Sequence, residues 1–166
     1  MTVDVIGGIL KREGGFVDNA VDKGGPTNMG VTLATLSEWL GRQATVEELK
    51  HLSENEVRSI YTSMFLAKPG LTAINDERLR SLVLDCSVNH GPLNAIKLLQ
   101  RALGVSDDGI LGPATKQALF QSDFSKLYLR VCAERVRFYG HILHTNPSQT
   151  AFAEGWMGRI AEFIEA

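Results

Sequence analysis

Glycine and proline cut this chain into helix-length pieces. Gly14-Gly15, Gly41, Lys68-Pro69-Gly70, Gly91-Pro92, Gly104, Gly112-Pro113 and Pro147 separate segments whose apolar residues recur every three or four positions. Proline lacks the amide donor a helix interior needs, and glycine accepts the left-handed cap conformation. Such punctuation predicts a mainly α chain. The expected helices cover 3–13 (Val5, Ile6, Ile9 and Leu10 on one face, Thr2 as cap, Asp4 in the first turn), 33–41, 45–51, a helix from 53 to the Lys68-Pro69-Gly70 break, 76–90, 93–103, one opened by Pro113, 124–143 and roughly 150–164. Thr45 with Glu48, and Ser53 with Glu56, have capping-box spacing. Residues 76–90 carry Leu79, Leu82, Val83, Leu84, Cys86 and Val88, which predicts a helix buried nearly all round. Residues 124–143 place Leu127, Val131, Phe138 and Ile142 on one stripe.

One stretch resists the helical pattern. Residues 12–30, REGGFVDNAVDKGGPTNMG, hold too many Gly, Asn, Asp and Pro residues to stay helical. Phe16-Val17 and Val31-Thr32 fit short extended segments, so a small irregular β segment is expected near residues 16–32. The same stretch has candidate chemistry. Glu13 follows the first helix, at the negative end of its dipole, where a carboxylate is mildly disfavoured. A carboxyl that is also partly buried there keeps its proton to higher pH and suits a general acid. Asp22 lies across a glycine-rich excursion that can return toward Glu13, and Thr27 follows with Pro26 stiffening its approach. Two carboxyls across a cleft, one protonated and one ionised, are the parts of glycoside hydrolysis, and a threonine hydroxyl can orient the water. Each residue also has an ordinary role, Glu13 as a solvated last-turn residue and Asp22 and Thr27 as turn formers.

Composition narrows the alternatives. The chain has 166 residues, 44% hydrophobic and 22% charged, with a formal net charge of −2, enough for one globular unit or two small ones and too well mixed for disorder. Residues 1–90 carry 9 Lys/Arg against 12 Asp/Glu, and residues 91–166 carry 8 against 7. Neither half has the basic face of a nucleic-acid binder. No apolar run approaches the ~18–20 residues that span a bilayer. The four histidines and two cysteines form no metal-ligand spacing, so neither metal nor cofactor is expected. Cys86 and Cys132 are read as buried free thiols. The N-terminus has no basic region before its apolar run and does not read as a secretory signal.

The motifs in the first 92 residues resemble a known family. Glu13-Gly14-Gly15-Phe16, then Asp22-Lys23-Gly24-Gly25-Pro26-Thr27, then Gly30-Val31-Thr32 resemble the signature of glycoside hydrolase family 108, the N-acetylmuramidase family of phages and prophage regions. VRSIYTSMFL at 57–66 resembles the family's Ile-Tyr helix, and LDCSVNHGP at 84–92 its Asp-x-x-Val-Asn-x-Gly segment. Leu66 stands where relatives often carry tryptophan, and Phe16 replaces the commoner tyrosine. The resemblance implies a lysozyme-like helical fold, with residues 1–92 as the catalytic region and Glu13 as the catalytic acid. Asp22 and Thr27 are its partners by analogy with the Glu-Asp-Thr order of other phage-type lysozymes. Tyr61, Asp85 and Asn89 are candidate substrate contacts. Asp85 and Asn89 lie one helical turn apart, and internal hydrogen bonding is their alternative role.

Residues 93–166 resemble a helical peptidoglycan-binding domain, through ALGVSDDGILGPATKQAL at 102–119 and FAEGWMGRI at 152–160. Read as structure alone, Asp108-Gly109 and Gly112-Pro113 set turns, Trp156 anchors a core and Arg159 pairs with a carboxylate. Trp39 is expected in a core.

The resemblance implies a cofactor-free muramidase cutting the β-1,4 bond between N-acetylmuramic acid and N-acetylglucosamine. Lytic transglycosylation of the same bond and a non-catalytic murein-binding or secretion-accessory role are the alternatives. The expected partner is the peptidoglycan glycan strand, without nucleic acid or stable membrane insertion. Such a protein is expected to be made in the cytoplasm and to reach the wall through a holin or secretion partner.

Overall fold

The computed structural model describes residues 5–12, 15–17 and 25–165. The cap expected at Thr2, the first-turn Asp4, the glycine stop at Gly14, and the side chains of Glu13 and Asp22 lie outside the described residues. The packing falls into two compact units, residues 4–68 and 69–166.

In the first unit, α1 (Val5–Arg12) is followed by a hairpin of β1 (Thr27–Asn28) and β2 (Val31–Thr32). Then come α2 (Leu33–Leu40), α3 (Val46–Lys50) and α4 (Glu54–Tyr61). Each boundary has a chemical cause. The Thr32 hydroxyl accepts from the Thr35 amide at 3.1 Å to open α2, and Gly41, at φ 68°, closes it in the left-handed conformation. Both expected capping boxes form, Thr45 with Glu48 on α3 and Ser53 with Glu56 on α4. The core holds Val31, Leu36, Leu49, Val57 and Ile60, all at most 2% exposed. Burying one such side chain stabilises the fold by about 1.5–3 kcal/mol. Past Tyr61 the chain widens into a π turn, Thr62–Ala67, closed by the Lys68 amide donating to the Ser63 carbonyl at 2.8 Å.

The second unit contains a 3₁₀ turn (Leu71–Ala73), α5 (Glu77–His90), α6 (Pro92–Leu103), α7 (Pro113–Phe120) and α8 (Phe124–Thr145). A second 3₁₀ turn (Pro147–Phe152) leads to α9 (Ala153–Glu165). Asp76 and Asp123 cap α5 and α8 through their carboxylates. Helix α5 packs on α6 and α8, and α8 packs on α6 and α9. Leu79, Leu82, Val83 and Cys86 are fully buried, as the all-round apolar pattern requires. Cys86 and Cys132 are buried free thiols.

Three details depart from the periodicity. The helix read from residue 53 to the Lys68-Pro69-Gly70 break is α to Tyr61 and π beyond it. The buried face of α8 is Leu127, Tyr128, Val131, Cys132, Arg135 and Tyr139, while Phe138 and Ile142 are half-buried. Trp39 and Trp156 are likewise half-buried. No described helix is long and apolar enough to cross a membrane.

Candidate active site

Val17 and Thr27, ten positions apart, are paired. Val17 and Thr27 exchange backbone hydrogen bonds, Val17 N–H to the Thr27 carbonyl at 2.8 Å and Thr27 N–H to the Val17 carbonyl at 2.9 Å. This bridge sets Val17 beside Thr27. From there the strand enters a two-residue turn, with Thr27 paired to Thr32 and Asn28 to Val31. Both central residues have positive φ, Met29 at 47° and Gly30 at 76°, the geometry whose twist suits a tight hairpin. Gly30 occupies this region at no steric cost; Met29 does so under strain.

Two side chains hold the strained turn. The Tyr61 hydroxyl donates to the Met29 carbonyl at 3.2 Å. The Asn28 amide, 4% exposed, donates to the Leu49 carbonyl at 2.8 Å and the Lys50 carbonyl at 3.1 Å, capping the end of α3. Thr27 is half-buried, and its hydroxyl makes no hydrogen bond among the described residues. The Phe16 ring lies under the Lys50 ammonium, 5.2 Å from its centroid. Of the expected site residues in this unit, the structure thus ties Thr27 and Tyr61 to one hairpin, while Glu13 and Asp22 lie outside the described residues.

Asp85 and Asn89 are on α5 in the second unit. The Asp85 carboxylate is 2% exposed and meets two guanidinium groups. Arg135 of α8 approaches Oδ2 to 2.6 Å, and Arg159 of α9 donates from Nε to both oxygens at 2.9 Å and from Nη2 to Oδ1. Arg135 is itself fully buried and lies against the Tyr139 and Phe163 rings. A buried carboxylate needs such partners, because low dielectric makes an unpaired charge costly. Asp85 therefore locks α5, α8 and α9 together. Asn89 is exposed, and its side-chain amide donates to the Asp85 carbonyl one turn back at 2.7 Å.

Arg159 does pair with a carboxylate, as the sequence suggested. Arg135 and Asn28 were missed. Arg135 had a visible signal, since it sits four residues after Val131 on the apolar stripe of α8. Asn28 had none, because its partners come from a helix twenty residues later. The neighbouring thiol is inert: burial pushes Cys86 up to about 12, so it is no nucleophile at neutral pH. Burial lowers His90 to about 4, with the Arg135 charge acting in the same sense.

The loop between α6 and α7 turns on Gln100, 1% exposed. Its Nε2 faces Asp108 Oδ1 at 2.7 Å, the Ile110 carbonyl at 3.0 Å and Thr115 Oγ1 at 3.0 Å, and its Oε1 accepts from the Gly109 amide at 2.8 Å. The Asp-Gly and Thr positions of the 102–119 motif are thus the partners of one buried amide.

Comparison with known proteins places these features. The family model described as Glycosyl hydrolase 108 matches residues 6–91. The chain belongs to the glycosyl hydrolase 108 family. A second model, "Predicted Peptidoglycan domain", matches residues 94–161. A solved structure titled "Structure of Brucella abortus SagA" is similar to this family 108 chain at 31% identity, with a TM-score of 0.80, over 96% of this chain and 88% of that one. No curated protein matches the chain. The fold is mainly α and lysozyme-like, and the protein is a glycoside hydrolase that acts on peptidoglycan.

Proposed function

We propose that this family 108 protein is an N-acetylmuramidase that hydrolyses the β-1,4 bond between N-acetylmuramic acid and N-acetylglucosamine. Glu13 donates a proton to the glycosidic oxygen. Asp22 positions water or stabilises the oxocarbenium-like state, and Thr27 orients that water. The observation that carries the reading is the Val17–Thr27 bridge. It pairs Val17, four positions after Glu13 in the chain, with Thr27, whose hydroxyl has no hydrogen-bond partner among the described residues. Tyr61 and Asn28 support the site by fixing the hairpin. In this reading residues 1–92 carry the reaction and residues 93–166 contact the wall. The enzyme reaches its substrate from the cytoplasm through a holin or secretion partner.

Mass spectrometry of the fragments released from purified walls tests the reaction. Hydrolysis leaves an N-acetylmuramic acid reducing end carrying one added water. A 1,6-anhydro product would instead identify a lytic transglycosylase, and wall binding with no released sugar a non-catalytic protein.

A further inference from the structure

A recess of about 330 Å³ opens between the end of α6 and the middle of α8. Small residues make the space: Ala102 and Gly104 on one side, Ala133 on the other. Arg101, Arg130 and Arg137 line it, against a single carboxylate, Glu134. Arg101 is held from Nε by Asp107 at 2.7 Å, and Arg137 from Nη1 by Glu134 at 2.6 Å. Arg130 is exposed and has no ion-pair or hydrogen-bond partner among the described residues. The carbonyl end of α6 also faces this region, and its negative dipole opposes an anion. That opposition is reduced because the Gln100 and Arg101 carbonyls accept from the Val105 and Gly104 amides at 3.1 and 3.0 Å.

We propose that this recess is an oxyanion subsite for the peptide stems of peptidoglycan, with Arg130 as the principal contact and Arg101 and Arg137 flanking it. The inference rests on the wall polymer being the substrate, and it adds a peptide-directed contact to a glycan-directed reaction. Peptide stems carry carboxylates, and a guanidinium presents paired N–H donors that match a carboxylate's two oxygens. A recess open to solvent and lined by three guanidiniums suits a group that remains partly hydrated, so binding weakens as salt screens it.

The test is co-sedimentation of the full chain with purified wall sacculi on ice, at low and high salt. Arg130→Glu reverses the free charge, and Ala133→Phe fills the recess without changing charge. Both variants are expected to weaken sedimentation by about fivefold or more in apparent Kd at low salt. The parent is expected to lose a similar amount when beads carrying stem-free glycan strands, released from sacculi by an amidase, replace intact sacculi. Both variants should cleave peptide-free glycan strands at the parental rate, which separates this inference from the muramidase reading. If the parent fails to cut those strands, the reaction assignment fails while the binding comparison stands. Unchanged binding by either variant, or equal binding of intact sacculi and bead-bound stem-free strands, overturns the subsite. So does binding that is lost when wall phosphate is removed and kept when stems are removed.

Discussion

Asp85 carries the largest energetic consequence at the level of single residues. Replacing it with asparagine removes the charge that compensates a fully buried Arg135 and a mostly buried Arg159. Breaking a buried pair from one side costs about 3–5 kcal/mol, because the remaining charge is left in low dielectric. Asp85→Asn is therefore expected to lower the denaturant midpoint sharply in equilibrium unfolding, and a midpoint within error of the parent would refute the network's role. His90 gives a pH signature. Its ring packs against Phe138 and Tyr139, both at 5.0 Å between centroids, with Arg135 and Asp85 close by. The folded chain holds it neutral, with a pKa lowered from 6.5 to about 4. The unfolded chain binds that proton more readily, so acid favours unfolding. The stability contributed by neutral His90 is complete above about pH 6.5 and drains away as pH falls toward 4. By the scale of ~1.4 kcal/mol per pKa unit, the loss is on the order of 3 kcal/mol. Urea titrations across this range should show a steeper acid decline for the parent than for His90→Gln.

Two turns connect sequence to packing at the level of elements. Gly109 sits at φ 79°, and a Cβ there would come within 2.3 Å of Leu93 Cδ1. Gly109→Ala combines a left-handed penalty of roughly 1–2 kcal/mol with displacement of the Leu93 side chain. It is expected to lower the thermal midpoint, whereas Gly112→Ala, whose Cβ would meet only the Ile110 carbonyl at 4.0 Å, is expected to cost less. In the hairpin, Asn28→Ala removes two hydrogen bonds to the end of α3. A loss of about 1–3 kcal/mol is expected, with a fall in wall lysis at temperatures where the variant remains folded. The elements themselves were largely legible from local rules. Both capping boxes, the glycine stops and the buried middle of α5 follow from spacing along the chain. The π turn was not, because Thr62–Ala67 keeps the composition of an ordinary helix and only its hydrogen-bond offset differs. The partners of Asp85 were equally hidden: Arg135 and Arg159 are 50 and 74 positions away, and only tertiary packing selects them.

At the scale of the whole molecule, sequence and packing divide the chain at different places. The family models meet between residues 91 and 94, within the α5–α6 turn. The packing divides at 68/69, so that α5 shares a core with the helices that follow it. A segment ending at residue 92 would leave Asp85 without Arg135 and Arg159, and would expose the apolar surface of α5. Residues 1–92 expressed alone are therefore expected to be insoluble or partly unfolded by circular dichroism, even though the reaction is assigned to them. The family was readable from the motif order at 13–32, because those residues are local in the chain. The candidate acid was readable for the same reason. In the proposed reaction Glu13 supplies the proton that breaks the glycan. The most direct measurement is the initial rate of wall lysis by purified Glu13→Gln, with folding checked by its thermal midpoint. A loss of about a hundred- to ten-thousand-fold at an unchanged midpoint is expected if Glu13 is the acid; lysis within a fewfold of the parent by a folded Glu13→Gln protein would rule that role out.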